Sequence, residues 1–183
     1  MTTTLRTQLI SFLTLLVIGV SMIGIADSGY VTYEEFSGKI PVCGGGFDCG
    51  TVLQSKWAKI GPIPVSAFGM LFYATIFTLG ILEYLAVPFP NKIFKKKFPQ
   101  IHTFLKNLPK IGFYFDEITW QKKSFLLSIA GMLFTIYLVS IMAFVLNAWC
   151  LFCLISAASS TTIFISQSVL TYLHHTSPTA IQE

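Results

Sequence analysis

Four cysteines, arranged as two pairs, are the residues of this chain whose type and spacing suit chemistry. Cys43 and Cys49 flank a glycine-rich stretch in 43-CGGGFDC-49, and Cys150 and Cys153 form the C-x-x-C sequence 150-CLFC-153. Thiols two residues apart suit thiol–disulfide exchange, but the same spacing supplies half of many zinc sites. Spacing alone therefore leaves exchange, zinc binding, structural disulfides and inert buried thiols open.

The non-catalytic alternatives fit the two pairs less well than a redox relay. A Cys43–Cys49 disulfide would close a short loop, where the entropic stabilisation is smallest, and a Cys150–Cys153 disulfide would cross-link very little of the chain. A Cys₄ zinc site usually takes both pairs from closely spaced knuckles, and the Cys43–Cys49 spacing is loose for this. The alternative function that stays open is a non-enzymatic four-helix membrane protein with structural disulfides or a Cys₄ zinc site.

The composition indicates that these cysteines belong to a membrane protein. Only 11% of the 183 residues are charged, whereas an ordinary soluble domain has about 25%. Four apolar stretches are long enough to cross a hydrocarbon core about 30 Å thick, which takes about 20 helical residues. We therefore predict an all-α integral membrane protein, a single domain over 1–183, with four transmembrane helices at about 9–26, 65–87, 124–146 and 148–173.

The lysines predict the orientation of the bundle. Eight of the 12 Lys and Arg residues lie between the second and third spans: Lys92, Lys95, Lys96, Lys97, Lys106, Lys110, Lys122 and Lys123. Because such an excess marks the cytoplasmic side, both termini and the 88–123 loop are expected inside. The 27–64 loop, the 146–149 turn and all four cysteines are then expected on the outer face, where disulfides persist. The pI near 8.9 reflects this topology, so membrane lipid is expected as a partner and nucleic acid is not.

An alternative interpretation of the first span is a signal peptide. Gly24 and Ala26 would suit a cleavage site. The apolar run before them is about 18 residues long, however, which exceeds a typical signal-peptide core. We therefore expect the first span to be retained.

The outer loop between the first two spans carries a predicted element of its own. The segment 50-GTVLQSKWAKIG-61 has the pattern of a short, horizontal amphipathic helix lying across the membrane face. Pro62 and Pro64 end this helix, and Pro64 suits the first turn of the second span.

Cys150 is predicted at the start of the fourth transmembrane helix. Unpaired backbone N–H groups and the helix dipole favour negative charge at that position, so the Cys150 thiolate should form more readily than an ordinary one. Cys153 lies one turn deeper, within reach of an oxidant dissolved in the lipid. The pair is thus placed to connect a disulfide on the water side with a hydrophobic electron acceptor.

From Cys43 to about Ala157 the sequence resembles the vitamin K epoxide reductase family, in its bacterial quinone-reducing form without a fused thioredoxin domain. C-x-x-C alone is a weak signal, but several motifs occur together in the expected order. They are 43-CGGGFDC-49, Ser55, 61-GPIP-64, 66-SAFGMLFY-73 and 150-CLFC-153.

The resemblance implies roles for individual residues. It implies a four-helix bundle around a quinone, ubiquinone or menaquinone, with Cys150 exchanging with the loop cysteines and Cys153 serving the quinone. Either Cys43 or Cys49 is a possible first target of the partner. Three further residues match positions near the family's quinone pocket: Ser55, Phe68 and Tyr73. The resemblance implies no metal.

The function implied is that of a membrane thiol:quinone oxidoreductase. It would lie in the bacterial inner membrane and reoxidise a DsbA-like, thioredoxin-fold disulfide donor on the periplasmic side. The DsbB family has similar chemistry, but its C-x-x-C pair precedes the wider pair, and the second outer turn of this chain is too short for that arrangement.

Two positions depart from the vertebrate members of the family. Those members carry an Asn just before the Ser of the second-span motif and a Tyr four residues after the last cysteine, and both are associated with vitamin K binding. Val65 and Ala157 occupy these positions here. Because both lack a polar side-chain group, quinone reduction is expected rather than reduction of vitamin K epoxide.

Overall fold

The structure is a computed structural model that describes residues 3–86 and 117–175, with side chains for 5–84 and 121–173. Helices dominate these described residues. The α-helices are α1 (Thr3–Phe36), α2 (Cys49–Leu53), α3 (Val65–Ala86), α4 (Glu117–Ser140) and α5 (Leu151–His175). The remaining elements are a π-helical segment, Ile141–Leu146, that extends α4, and the strands β1 (Lys59–Ile60) and β2 (Ile63–Pro64).

The four long helices confirm the predicted all-α membrane bundle. Each contains a stretch long and apolar enough to cross a membrane: Leu5–Phe36, Val65–Tyr84, Gln121–Leu146 and Leu151–Leu173. Helix α1 packs beside α3 and α5, and α4 packs beside the same two helices. Helices α3 and α5 therefore lie diagonally across the bundle and both run inward from the end that carries the cysteines.

Two glycines allow large aromatic rings into the bundle interior. A Cβ atom at Gly24 of α1 would lie 2.5 Å from the ring of Tyr73, and one at Gly131 of α4 would lie 2.5 Å from the ring of Phe72. Real Cβ contacts are never that short, so both rings occupy space that only glycine leaves. The interior wall of α3 is thus formed by two adjacent aromatic residues in edge-on contact, with ring centroids 5.0 Å apart.

Helix α1 continues well past the predicted end of the first span at residue 26. The segment 27–36 was expected in the outer loop, but it is helical to Phe36. Hydropathy falls at Asp27, yet the segment contains no proline, and its polar side chains Ser28 and Thr32 donate hydrogen bonds to the carbonyls of Gly24 and Ser28. The fall in hydropathy therefore marks the point at which the side chains of α1 become polar, and the helix itself continues.

The short helix predicted over 50–61 is present but shorter. Helix α2 spans Cys49–Leu53, and a hairpin of β1 and β2 follows, with Ile60 opposite Ile63. The hairpin turn is Gly61-Pro62, and Gly61 has a φ of 63°, which suits the first position of a two-residue hairpin turn. The turn chemistry of this dipeptide prevails over the apolar periodicity that suggested a longer helix.

The predicted tight turn between the last two spans is confirmed. Asn147 adopts the left-handed conformation with a φ of 48°, and the Ala148 N–H donates to the carbonyl of Met142. Asparagine is among the few residues other than glycine that tolerate this conformation. The turn ends at Cys150, and α5 begins at Leu151, three residues later than the predicted span.

The predicted 88–123 loop lies largely outside the described residues. Within them, α3 ends at Ala86 and α4 begins at Glu117, so Lys122 and Lys123 belong to a helix. Both of these helix ends lie at the end of the bundle opposite to the cysteines. The lysine-rich segment therefore connects to the bundle at the far end from the cysteine pairs.

Candidate active site

The loop that carries Cys43 and Cys49 is held in place by hydrogen bonds to the start of α2 and to the turn before α5. The carboxylate of Asp48 accepts hydrogen bonds from the Thr51 N–H (3.0 Å) and from the Thr51 hydroxyl (2.6 Å), which caps α2. These bonds hold the pKa of Asp48 below its usual value. The Asp48 N–H donates to the carbonyl of Trp149 at 2.9 Å, so the loop is tied to the residue next to Cys150.

Cys43 and Cys49 form a disulfide, with their Cα atoms 5.9 Å apart. The two sulfur-bearing residues differ in accessibility. Cys49 is 2% exposed and packs in a core cluster with Val31, Val52 and Cys150, whereas Cys43 is half-buried and follows Val42, which is 91% exposed. A reagent in the water therefore reaches the disulfide from the Cys43 side.

Cys150 and Cys153 are free thiols at the start of α5. Cys150 immediately precedes the helix, as predicted, and its sulfur accepts a hydrogen bond from the Cys153 N–H at 3.5 Å. The pKa of Cys150 is lowered, first by the hydrogen bond from the Cys153 thiol and then by the backbone N–H groups of Cys153 and Phe152. The N–H groups of the first helical turn thus lower this pKa as predicted, but the Cys153 thiol has the larger effect.

The loop disulfide and Cys150 are in direct reach of each other. The sulfur atoms of Cys43, Cys49 and Cys150 all lie within 4.8 Å of one another. Thiol–disulfide exchange requires a thiolate to approach a disulfide sulfur, and this arrangement supplies both groups. Three thiolates would also suit zinc, but two of these sulfurs are joined to each other here.

A cavity of about 390 Å³ lies next to the cysteines, inside the half of the bundle that carries them. Its walls come from α1, α3, α4, α5 and the α2–β1 segment, and most of its lining is apolar. The sequence-predicted residues Ser55, Phe68, Tyr73 and Cys153 all line it, as do Val65 and Ala157. Cys153 thus faces the cavity, whereas Cys150 faces the loop disulfide.

The predicted cavity residues have distinct structural surroundings. The Tyr73 hydroxyl donates to the carbonyl of Ser156 at 2.7 Å and lies 2.9 Å from the Ser156 hydroxyl. Tyr73 is 2% exposed, so it joins α3 to α5 and forms a wall of the cavity. The Ser55 hydroxyl donates to the Val52 carbonyl at 2.8 Å, and Phe68 is 42% exposed.

The cavity is also lined by two carboxyl groups that the sequence predicted to lie in the outer loop. Asp27 and Glu35 both belong to the extended part of α1 and both line the cavity. Glu35 accepts a hydrogen bond from the Ser66 hydroxyl at 2.7 Å through Oε2, while Oε1 is buried without a hydrogen-bond partner among the described residues. Asp27, Val31 and Glu35 recur every four residues, a helical period that would have revealed this face.

These features define a multi-pass membrane protein with a loop disulfide, an adjacent dithiol at a helix start and an apolar cavity beside it. A comparison with protein-family models matches residues 15–168 to the vitamin K epoxide reductase family. The chain belongs to that family, whose members are membrane oxidoreductases of thiols and quinones. No curated protein matches the chain.

Proposed function

We propose that this protein is a thiol:quinone oxidoreductase that oxidises a reduced thioredoxin-fold protein on the outer face of the bacterial inner membrane. The observation that carries the proposal is the placement of the sulfurs. Cys43, Cys49 and Cys150 lie within 4.8 Å of one another, and Cys153 lines the cavity. Electrons thus have a continuous route from the loop, through the helix pair, to a ligand in the cavity.

The first step is attack on the loop disulfide by a thiolate of the donor protein. Attack on Cys43 forms a donor–Cys43 mixed disulfide and releases the Cys49 thiolate. The second thiol of the donor then resolves the mixed disulfide, so the donor leaves oxidised and the loop holds two thiols. Cys43 is favoured as the target because Cys49 is 2% exposed.

The second step passes two electrons from the loop to the pair on α5. Cys49 is buried in the same core cluster as Cys150, so its thiolate is placed to attack the sulfur of Cys150 in an oxidised Cys150–Cys153 pair. This attack forms a Cys49–Cys150 disulfide and releases the Cys153 thiolate. Cys43 then attacks the sulfur of Cys49, which closes the loop disulfide and releases the Cys150 thiolate. The hydrogen bonds that lower the pKa of Cys150 make it a good leaving thiolate.

The cavity fits a quinone headgroup in both size and chemistry. Its lining is mainly apolar, and polar groups occur only at a few points, including the unpartnered Oε1 of Glu35. Ubiquinone or menaquinone would supply an acceptor for two electrons and two protons at Cys153. Phe68 and Phe72 would contact its ring, and Ser55 would contribute a hydroxyl.

The bacterial inner-membrane location and the DsbA-like partner belong to this proposal. The described helix ends that flank the lysine-rich segment, Ala86 and Glu117, lie at the opposite end of the bundle from the cysteines, which supports an outer position for the redox site by the positive-inside rule. No residue of the described chain has to bind a metal in this scheme.

The test is a purified-protein assay that follows quinone absorbance with a reduced thioredoxin-fold donor and each of four Cys→Ala variants. Cys153→Ala should still form the mixed disulfide with a donor that lacks its resolving cysteine, but it should reduce no quinone. Full quinone turnover by Cys153→Ala would refute the assignment of Cys153.

The same single-cysteine donor identifies the entry point in the loop. Incubated with the wild-type protein, it should form a mixed disulfide whose peptide map contains Cys43. A map that contains only Cys49 would reverse the order of the two loop cysteines and leave the remainder of the relay intact.

A further inference from the structure

The inner half of the bundle contains buried polar side chains that the redox scheme does not use. Glu83, Gln121, Ser124 and Gln167 are between 0% and 8% exposed. Each has at least one buried polar atom without a hydrogen-bond partner among the described residues, and in Gln167 both amide atoms are of this kind. We refer to these four residues as the inner polar cluster.

Glu83 and Gln167 lie at nearly the same depth. The hydrogen bond from Tyr73 to Ser156 joins α3 and α5 at one level, and both helices run inward from there. Glu83 is ten residues beyond Tyr73 and Gln167 is eleven beyond Ser156, so both lie about 15–17 Å further in. Both side chains are buried, so both lie within the bundle at this level.

Helix α4 adds its polar residues at the same level. The stacked rings of Phe125 and Phe164 are 6.4 Å apart, which places Ser124 within about one turn of Gln167. Gln121 lies three residues nearer the inner end of α4, at the start of its membrane-spanning stretch. The inner polar cluster therefore extends from the middle of the bundle toward its inner end.

A line of polar groups leads from this cluster to the cavity. Ser160 lines the cavity, and its buried hydroxyl has no hydrogen-bond partner among the described residues. Gln167 follows seven residues later on the same face of α5, about 10 Å deeper. The layer between them is mainly apolar, and both nearby hydroxyls are 0% exposed. Ser128, three residues outward of Phe125 on α4, lies in this layer, whereas Ser21, three residues from Gly24 on α1, lies at about the level of Ser160.

These two hydroxyls are oriented so that their oxygens remain available. Ser21 donates to the Val17 carbonyl at 2.6 Å, and Ser128 donates to the Phe125 carbonyl at 2.7 Å. Each oxygen keeps acceptor capacity for a water molecule. Water next to Ser160 would thus find acceptors on both α1 and α4.

Glu83 is 8% exposed and lies one residue before the end of the membrane-spanning stretch Val65–Tyr84. Carboxyl groups buried within membrane-spanning helices commonly belong to proton relays. Unpartnered amide and hydroxyl groups on either side would bind the water molecules that such a relay needs.

We propose that the inner polar cluster is a proton-uptake path that connects the inner face of the membrane to the cavity at Cys153, with Glu83 as its exchangeable site. This inference rests on the proposed function. Oxidation of the donor dithiol releases two protons on the outer side, and reduction of the acceptor consumes two electrons and two protons. Because the electrons enter from the outer side and the protons from the inner side, each turnover moves charge across the membrane.

The experiment uses the full chain in sealed liposomes with a pH indicator trapped inside and ubiquinone in the bilayer. A reduced thioredoxin-fold donor is added outside; because it cannot cross the bilayer, only molecules with the cysteines facing outward turn over. The lumen should become alkaline as quinone is reduced, and potassium with valinomycin should accelerate turnover by collapsing the opposing potential. A protonophore should abolish the pH change.

Variants of two residues test whether the inner polar cluster carries the protons that leave the lumen. Glu83→Gln is nearly isosteric and should slow lumenal proton uptake on the order of tenfold, and Gln167→Leu should act in the same direction. Both should still form the mixed disulfide with the donor. Glu34→Gln, a change of the same type in α1 at a residue that does not line the cavity, should leave the uptake rate unchanged.

The outcomes separate this inference from the proposed function. Quinone reduction with no change in lumenal pH would overturn the proton path alone, and so would an unaltered uptake rate in Glu83→Gln. Absence of quinone reduction by the wild-type protein would instead contradict the proposed function.

Discussion

Single hydrogen bonds around the Cys150 sulfur set the reactivity of the helix-end pair. Cys150 is 0% exposed, so burial acts to raise the pKa of its thiol. The Cys153 thiol and the N–H groups of Phe152 and Cys153 act against burial, and the net pKa is below the ordinary value of 9.0. The Cys150 thiolate is therefore stabilised mainly by its partner cysteine.

This balance predicts a pH dependence for the reduced pair. Exchange needs the thiolate, so its rate falls as pH falls through the pKa of Cys150; because that pKa is lowered, the fall should occur at a lower pH than for an ordinary thiol. Thiolate ultraviolet absorbance in a Cys43→Ala, Cys49→Ala protein measures this pKa. Adding Cys153→Ala should raise it, since the largest stabilising hydrogen bond is removed, and an unchanged titration curve would contradict this explanation.

The sequence predicts the positions of the cysteines better than the surroundings of the cavity. Spacing, topology and the family motifs were enough to place Cys150 at a helix start and Tyr73 at a cavity wall. Asp27 and Glu35 were missed because a hydropathy window ends the first helix where its polar residues begin. The charged side chains of Asp27 and Glu35 predicted a loop, whereas in the structure they lie on the face of α1 that lines the cavity.

At the scale of elements, Gly24 of α1 provides the close contact between α1 and a side chain of α3. The Tyr73 ring fills the space beside this glycine and reaches α5 through its hydroxyl. One contact thus positions three helices around the cavity. The length of α1 also matters, because the turns beyond residue 26 carry Glu35 to Ser66.

Gly24→Ala should therefore destabilise the bundle and alter the cavity. The new Cβ would lie 2.5 Å from the Tyr73 ring, and overpacking of this kind costs about 1–3 kcal/mol. Gly19→Ala is the matched control, because a Cβ there meets nothing within 4 Å. Thermal unfolding in detergent should show a lower midpoint for Gly24→Ala only; equal midpoints for the two variants would refute the packing argument.

The limits of sequence-based prediction at this scale have local causes. The ends of α2 depend on the Asp48 cap and on the Gly61-Pro62 turn, both of which act over a few residues and are hidden in a longer amphipathic pattern. The order in which the helices pack was not predictable, because the hydropathy of α1, α3 and α4 is nearly uniform around their circumference. Contacts such as Phe72 against Gly131 decide that order.

At the scale of the whole molecule, the two ends of the bundle have different chemistry. The end that carries the cysteines also holds the cavity, and the opposite end carries the helix ends that flank the lysine-rich segment. The inner polar cluster lies toward this second end. In the proposed function, thiol exchange belongs to one membrane face, and both the positive charge and the proton entry belong to the other.

This orientation can be checked by labelling single cysteines in a protein whose four native cysteines are changed to alanine. Val42→Cys reports on the cysteine end, since Val42 is 91% exposed, and Gln100→Cys reports on the lysine-rich segment. In intact spheroplasts a membrane-impermeant maleimide should label Val42→Cys at once and Gln100→Cys only after permeabilisation, because the lysine excess retains its segment in the cytoplasm. The reverse pattern would place the redox site in a reducing compartment, where the loop disulfide would not persist. Both the relay and the proposed proton path from the inner face to the cavity would then lose their physical basis.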